Sequence, residues 1–438
     1  MSNVFPRQIT NPPIKAVSSD GCYIIDENGK QYFDGSGGAA VSCLGHGDPD
    51  VIKAVQDQTS KMAFAHTGFF SSDPAEELAE LLIDNAPGEL DRVYFVSGGS
   101  EAIEAAIKLA RQFHIENGEP SRHHIIARKQ SYHGNTLGAL AAGGNKWRRN
   151  QFEPILIDVS HISPCYEYVD KLKEETSFDY GQRVAQELED EILRLGSDKV
   201  MAFIVEPVVG ATMGAVPAVP GYFKKVRNIC NKYGVLLILD EVMCGMGRTG
   251  HLFASEFDEI APDILCIAKG LGAGYQPIGA MLCSKDIYDR LGKGSGFFQH
   301  GHTYMGHPVA CAAGLAVLKA ILNRKLLSSI NNKSNQLFNC LKTQLEHPNI
   351  GDIRGRGLFI GIEIVKNIET KKPFDPNLKV AASIKNAAFE AGLICYPMSG
   401  TRDGKWGDHI LLAPPFILNE NQIIELVNKL SIAIESVK

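Results

Sequence analysis

Short apolar runs alternate with helix-period segments along most of the chain. Residues 93–96 precede SGGSEAIEAAIKLARQF, and residues 125–127 precede RKQSYHG. Residues 202–205 precede Glu206-Pro207, residues 235–239 precede Asp240-Glu241, and residues 264–268 precede Lys269-Gly270. Each run is apolar at consecutive positions, so both of its faces want burial, as in the strands of a covered parallel sheet. Their alternation with helices predicts an α/β domain over roughly residues 60–325. The helix opening at Gly98-Gly99 is expected to reach about Gln112.

The two ends of the chain follow another pattern. Residues 20–34 (DGCYIIDENGKQYFD) read as a hairpin turning at Asn28-Gly29. After about residue 325 come a helix, a second hairpin in IRGRGLFIGIEIV and a last helix from about Glu420. Residues 1–59 and 326–438 are therefore expected to join as a smaller α+β domain.

Composition narrows the class. The 438 residues are 44% hydrophobic and 21% charged, which excludes disordered and fibrous chains. Lys plus Arg number 44 against 50 Asp plus Glu, a net charge of −6 that leaves no electrostatic footprint for nucleic acid or anionic lipid. No apolar stretch approaches the ~20 residues of a membrane helix. MSNVFPRQIT lacks the basic region and apolar run of a signal peptide. The ten cysteines are scattered without a C-x-x-C pair, so buried reduced thiols and a cytoplasmic location are expected.

Ligands of an open parallel sheet bind at the carboxyl ends of its strands. The residues just past the runs are Ser97-Gly98-Gly99-Ser100, Ser131-Tyr132-His133-Gly134, Glu206, Asp240 and Lys269. Gly98-Gly99-Ser100 opens a helix, so its free N–H groups suit a phosphate, although a plain capping turn has the same composition. Lys269, at the end of an apolar strand and before GLGAG, has the desolvated setting that a Schiff-base lysine requires. An Asp240–Lys269 ion pair between neighbouring strands is the simpler alternative. Gly245-Met246-Gly247-Arg248-Thr249-Gly250 matches a dinucleotide fingerprint but does not follow its strand directly or open a clear helix, which argues against it. The histidines show no metal-ligand spacing, so no catalytic metal is expected.

Taken together, these residues resemble the class III pyridoxal-phosphate-dependent aminotransferases, the omega-aminotransferase group on the fold type I scaffold. The resemblance runs over nearly the whole chain: DENGKQYFDGSGGAAV, SGGSEAIEAAIKLAR, SYHG, VEPV, LDEVMCGMGRTG, IAKGLGAGYQPIGA, HTYMGHPVACAAGLAVL and APPF. It implies that Lys269 binds the aldehyde of pyridoxal 5'-phosphate and that Asp240 pairs with the pyridine nitrogen. It implies that Gly98, Gly99 and Ser100 hold the phosphate, joined by Thr303 of the neighbouring subunit in a homodimer, alone or paired into a tetramer. Tyr132 would stack on the ring with His133 beside it, Val242 would pack on the other face, and Glu206 would lie near the ring hydroxyl. The implied activity is transfer of an amino group from an amine or omega-amino acid to a small 2-keto acid such as pyruvate, by a ping-pong cycle. An aminomutase, racemase, decarboxylase or phospho-lyase on the same scaffold, or a cofactor-binding regulator without turnover, are the competing functions.

Two departures from the family pattern bear on substrate. Ala40 stands where many amine-accepting relatives carry a bulky Trp, which predicts a roomier pocket wall. The segment that supplies a mobile carboxylate-binding arginine in many relatives is lengthened here to SGTRDGKWGDH. Arg402 is the expected carboxylate ligand, with Lys405 as its competitor.

Overall fold

The apolar runs lie side by side in a seven-stranded sheet, described by a computed structural model that covers residues 3–437. The strand order is Leu90–Val96, Gly279–Ser284, Ile264–Ile267, Leu236–Asp240, Val200–Val205, His124–Arg128, Val159–Ile162. The last five pair in parallel. Gly279–Ser284 runs antiparallel to both of its neighbours. Alternate residues serve opposite faces, as the pleat demands. Ile125, Ile204 and Ile238 pack with Ile103 and Ala106 of the helix Gly99–Glu116. Ile126, Phe203, Leu237 and Leu239 pack against the helices Ser177–Leu195 and Tyr222–Tyr233. Such two-sided burial explains why these strands read as continuous apolar runs. Truncating a fully buried member such as Leu237 to alanine is expected to cost about 2–5 kcal/mol.

The sequence pattern did not reveal two of these strands, Val159–Ile162 and Gly279–Ser284, and the helix expected to stop near Gln112 runs on to Glu116. Gly245–Gly250 is a run of turns, and the 3-10 turn Ala254–Asp258 follows it. Its buried Arg248 donates to the carbonyls of Pro414 and Leu358 and lies over the Phe416 ring, fastening the turns to the C-terminal segment.

The hairpin Tyr23–Asp26 and Gln31–Asp34 turns at Asn28-Gly29, where Gly29 has φ +81° and Asp26 Oδ1 accepts the N–H groups of Asn28 and Lys30. Ala16–Asp20 pairs on one side of it, and Leu393–Ile394 adds in parallel on the other. A third sheet has the order Ile350–Arg356, Phe359–Ile364, Asp408–Leu412, Tyr396–Ser399. The last helix, Glu420–Ile434, starts at a reciprocal cap between Asn419 and Gln422. Among the described residues no helix is long and apolar enough to cross a membrane. Because all strands of the large sheet but one run the same way, their carboxyl ends collect along one rim.

Candidate active site

A cavity of about 440 Å³ opens at that rim. Gly98, Gly99, Ser100, Tyr132, His133, Glu206, Asp240, Val242 and Lys269 all line it, so nine of the residues singled out from the sequence stand together. The remaining wall includes Val41, Ala211, Gln276 and Ile278, which carry no sequence signal of their own.

Asp240 ends its strand buried, with two donors already in place. His133 Nδ1 stands 2.8 Å from its Oδ2, and the Val242 N–H donates to its Oδ1 at 3.0 Å. A carboxylate oxygen accepts, so Nδ1 is the donor in this contact. The buried His133 Nε2 has no partner, nor has Glu206 Oε2. Burial pushes the Glu206 carboxyl up to about 7, with the Asp240 charge adding to the effect and His133 opposing it.

Lys269 follows the strand Ile264–Ile267 with φ +47°, a left-handed backbone that costs a non-glycine residue about 1–2 kcal/mol. Strain of this kind persists where the surroundings over-determine it. Burial lowers the affinity of the Lys269 amine for a proton; the Asp240 and Glu206 charges work against this, and the Arg148 charge works with it. No hydrogen bond or ion pair involves Nζ among the described residues. The expected alternative, an Asp240–Lys269 ion pair, is therefore not formed; His133 takes that place.

The helix Gly99–Glu116 points its N-terminus at the cavity. Its first N–H groups have no intrahelical acceptor, and the helix dipole favours an anion there. A Cβ on Gly98 would meet nothing within 4 Å, whereas one on Gly99 would lie 2.6 Å from Val242 Cγ1. Gly98 thus leaves open space beside the anion-binding turn. A helix N-terminus suited to phosphate, an unpaired desolvated amine, a buried carboxyl group and two orphaned buried polar atoms fit a phosphorylated aromatic aldehyde.

Four residues named from the sequence are not at the cavity. Ala40 is buried in a cluster with Val208, Cys244, Phe359 and Leu411; its neighbour Val41 and its cluster partner Val208 line the cavity, and Ala40 itself does not. Arg402 donates its guanidinium to the Lys371 carbonyl and acts on Asp170 and Tyr168 instead. The lengthened loop folds back on itself, Gly400 N–H to Gly407 O at 2.7 Å, and that turns Arg402 away. Lys405 is exposed. Thr303 is also exposed, outside this chain's own cavity. One residue missed from the sequence is Arg148, whose guanidinium carbon lies 4.5 Å from the ring centroid of Tyr132.

Fold and site together define a pyridoxal-phosphate enzyme of the fold type I scaffold. The profile of the class-III aminotransferases matches residues 4–434. An uncharacterized aminotransferase of Schizosaccharomyces pombe is 46% identical over 426 residues, covering 97% of this chain and 93% of the relative. An (S)-enantioselective omega-transaminase from Thermomicrobium roseum superposes with a TM-score of 0.93 at 34% identity, covering 100% of this chain and 97% of that one. A PMP-bound aminotransferase from Vibrio fluvialis gives 0.90 at 32% identity, covering 97% and 93%. The chain belongs to the class III aminotransferases and is a pyridoxal-phosphate-dependent transaminase.

Proposed function

We propose that the enzyme moves an amino group from an amine or omega-amino acid donor to a small 2-keto acid such as pyruvate, in two half-reactions of a ping-pong cycle. The observation that carries this reading is the Lys269 amine, desolvated and unpaired, in one cavity with the His133–Asp240 pair and a helix N-terminus. Bound pyridoxal phosphate supplies an aldehyde for the amino group and a ring that takes up the electron pair of the broken Cα–H bond. Gly98, Gly99 and Ser100 would hold the phosphate, and Val242 and Tyr132 would flank the ring. Asp240, oriented by His133 and the Val242 N–H, would face the ring nitrogen and favour its protonated form. Lys269 Nζ would hold the aldehyde and, when free, would take and return the Cα proton, a task suited to an amine whose charged form burial disfavours.

We assign the cavity, apart from Val41, to a unit of residues 60–325, with residues 1–59 and 326–438 as the smaller companion. A homodimer with a shared site fits an exposed aromatic cluster near Thr303: Phe69 is 82% exposed and Tyr304 61%, and Phe64 packs edge-on against Tyr304. Free, mostly buried thiols support a cytoplasmic setting.

The test is a half-reaction screen of the holoenzyme. Diamines, beta-, gamma- and omega-amino acids and aromatic amines are each mixed with the enzyme, and the cofactor absorbance is followed. Productive donors should bleach the band, and pyruvate should restore it. Product formation that needs no keto acid would instead indicate a mutase, racemase, decarboxylase or lyase.

A further inference from the structure

The short helix Lys146–Arg149 carries two adjacent arginines in different circumstances. Arg149 is committed: its guanidinium donates to the carbonyls of Ala141 and Gly143 and contacts His161. Arg148 is not. It is not itself a wall residue of the cavity, but its guanidinium lies beside the ring of Tyr132, which is, and its buried Nε has no hydrogen-bond partner. No carboxylate pairs with it among the described residues. A half-buried cation without a counter-charge, close enough to act on Lys269, lacks the anion that would compensate its lost hydration.

The mounting of this arginine is built rather than incidental. Asn145 Oδ1 accepts the Arg148 N–H, and Asn145 Nδ2 donates to Gln130 Oε1, both at 3.3 Å. Gln130 Nε2 donates in turn to the carbonyls of Gly400 (2.6 Å) and Thr401 (3.1 Å). The lengthened loop also touches the helix directly, since a Cβ on Gly404 would lie 3.0 Å from Trp147 N. The loop in which Arg402 was expected to bind a carboxylate therefore braces the helix that carries Arg148, while the Arg402 guanidinium is spent on the Lys371 carbonyl.

We infer that Arg148 receives the substrate carboxylate, that of the keto acid and of an omega-amino acid donor, in this chain. The inference rests on the transaminase reading above and narrows its substrates to carboxylated ones on at least one half-reaction. Arginine suits the task because its planar fork binds a carboxylate by two parallel hydrogen bonds. A bound carboxylate would also offset the Arg148 charge felt at Lys269, favouring proton uptake there when carboxylated substrate is in place.

The experiment compares the wild-type holoenzyme with Arg148→Gln, Arg148→Met and Arg402→Ala, using one uncharged amine donor and either pyruvate or an uncharged aldehyde acceptor. Loss of a charge-assisted hydrogen-bond pair should lower the kcat/KM ratio of pyruvate to aldehyde by about 10- to 100-fold in the Arg148 variants. Arg402→Ala should leave that ratio within about twofold. A second readout is independent of turnover: binding of propionate, followed by perturbation of the cofactor absorbance, should weaken by a similar factor. An unchanged ratio with unchanged propionate binding in either folded Arg148 variant overturns the inference; Arg148→Met keeps the stem against Tyr132 should Arg148→Gln not fold. Absence of keto-acid-dependent turnover in the wild type would sink the donor–acceptor reading, and the propionate contrast would still decide the role of Arg148.

Discussion

His133 Nδ1 lies 2.8 Å from Asp240 Oδ2, and both side chains are buried. This pair defines the site's own arrangement: a carboxylate engaged by an imidazole at the end of a strand, and Lys269 left free of it. Asp240→Asn keeps the shape and removes the charge. The half-reaction rate should fall at least about a hundredfold, while borohydride still fixes the cofactor to the protein. A variant within a few-fold of wild type would remove Asp240 from the mechanism.

On the proposed roles, Lys269→Ala removes both the covalent attachment and the proton carrier. Turnover should drop by more than about a thousandfold. Peptide mapping after borohydride reduction should locate the label on the Lys269 peptide in the wild type and nowhere in the variant.

The two glycines of the anion turn should respond differently to alanine. Gly98 is extended and its Cβ would meet nothing, so Gly98→Ala should leave the thermal stability of the cofactor-free chain nearly unchanged while weakening cofactor retention. At Gly99 the methyl group would collide with Val242, and a loss of about 1–3 kcal/mol is expected in the cofactor-free chain as well. Equal stability of the two variants would contradict this reading of the turn.

Glu206 makes stability depend on pH. Its folded-state value of about 7 lies above the ordinary 4.5, so the folded chain binds this proton more tightly than the unfolded chain. The contribution is present below the unfolded value and is lost as pH rises through the folded one. Glu206→Gln should therefore gain on wild type between pH 5 and 8, by on the order of 3 kcal/mol at full effect. Urea unfolding of the cofactor-free proteins at both pH values measures it, and parallel losses would exclude Glu206 as the source.

Ala40→Trp tests where that residue lies. Ala40 has φ +61° and is buried in a packed apolar cluster, so the indole has little room to enter. The variant should lose about 1–3 kcal/mol or more of stability. Selective loss of activity on the bulkiest donor, at unaltered stability, would return Ala40 to the substrate pocket.

Much of the sheet was legible because its central strands are buried on two sides. Leu237 and Ile238 face opposite helices, so neither could be polar, and the run announces itself. Val159–Ile162 escaped because Ser160 and His161 find lateral partners in His124 and the Ala142 carbonyl, which lets polar residues interrupt a strand. Gly279–Ser284 opens with a glycine because a Cβ there would lie 2.7 Å from Gly98 O, yet in sequence that glycine reads as a turn. The rim residues were visible as ionisable groups at the ends of apolar runs. Arg148 was not, since two adjacent arginines in a polar stretch look like a solvated surface, and only packing separates the free one from the bound one. Arg402 shows the converse: its loop has the expected neighbours in sequence, but here its guanidinium meets the Lys371 carbonyl and does not line the cavity.

The reversed strand Gly279–Ser284 has a consequence for the reactive amine. The segment bearing Lys269 departs along Ile264–Ile267 and comes home along its hydrogen-bonded neighbour, with Ile267 opposite Ala280 and Cys266 opposite Met281. Its two feet are clamped to one floor. In the proposed cycle the backbone under the lysine would then have nowhere to drift, and only its four methylene groups would be free to swing.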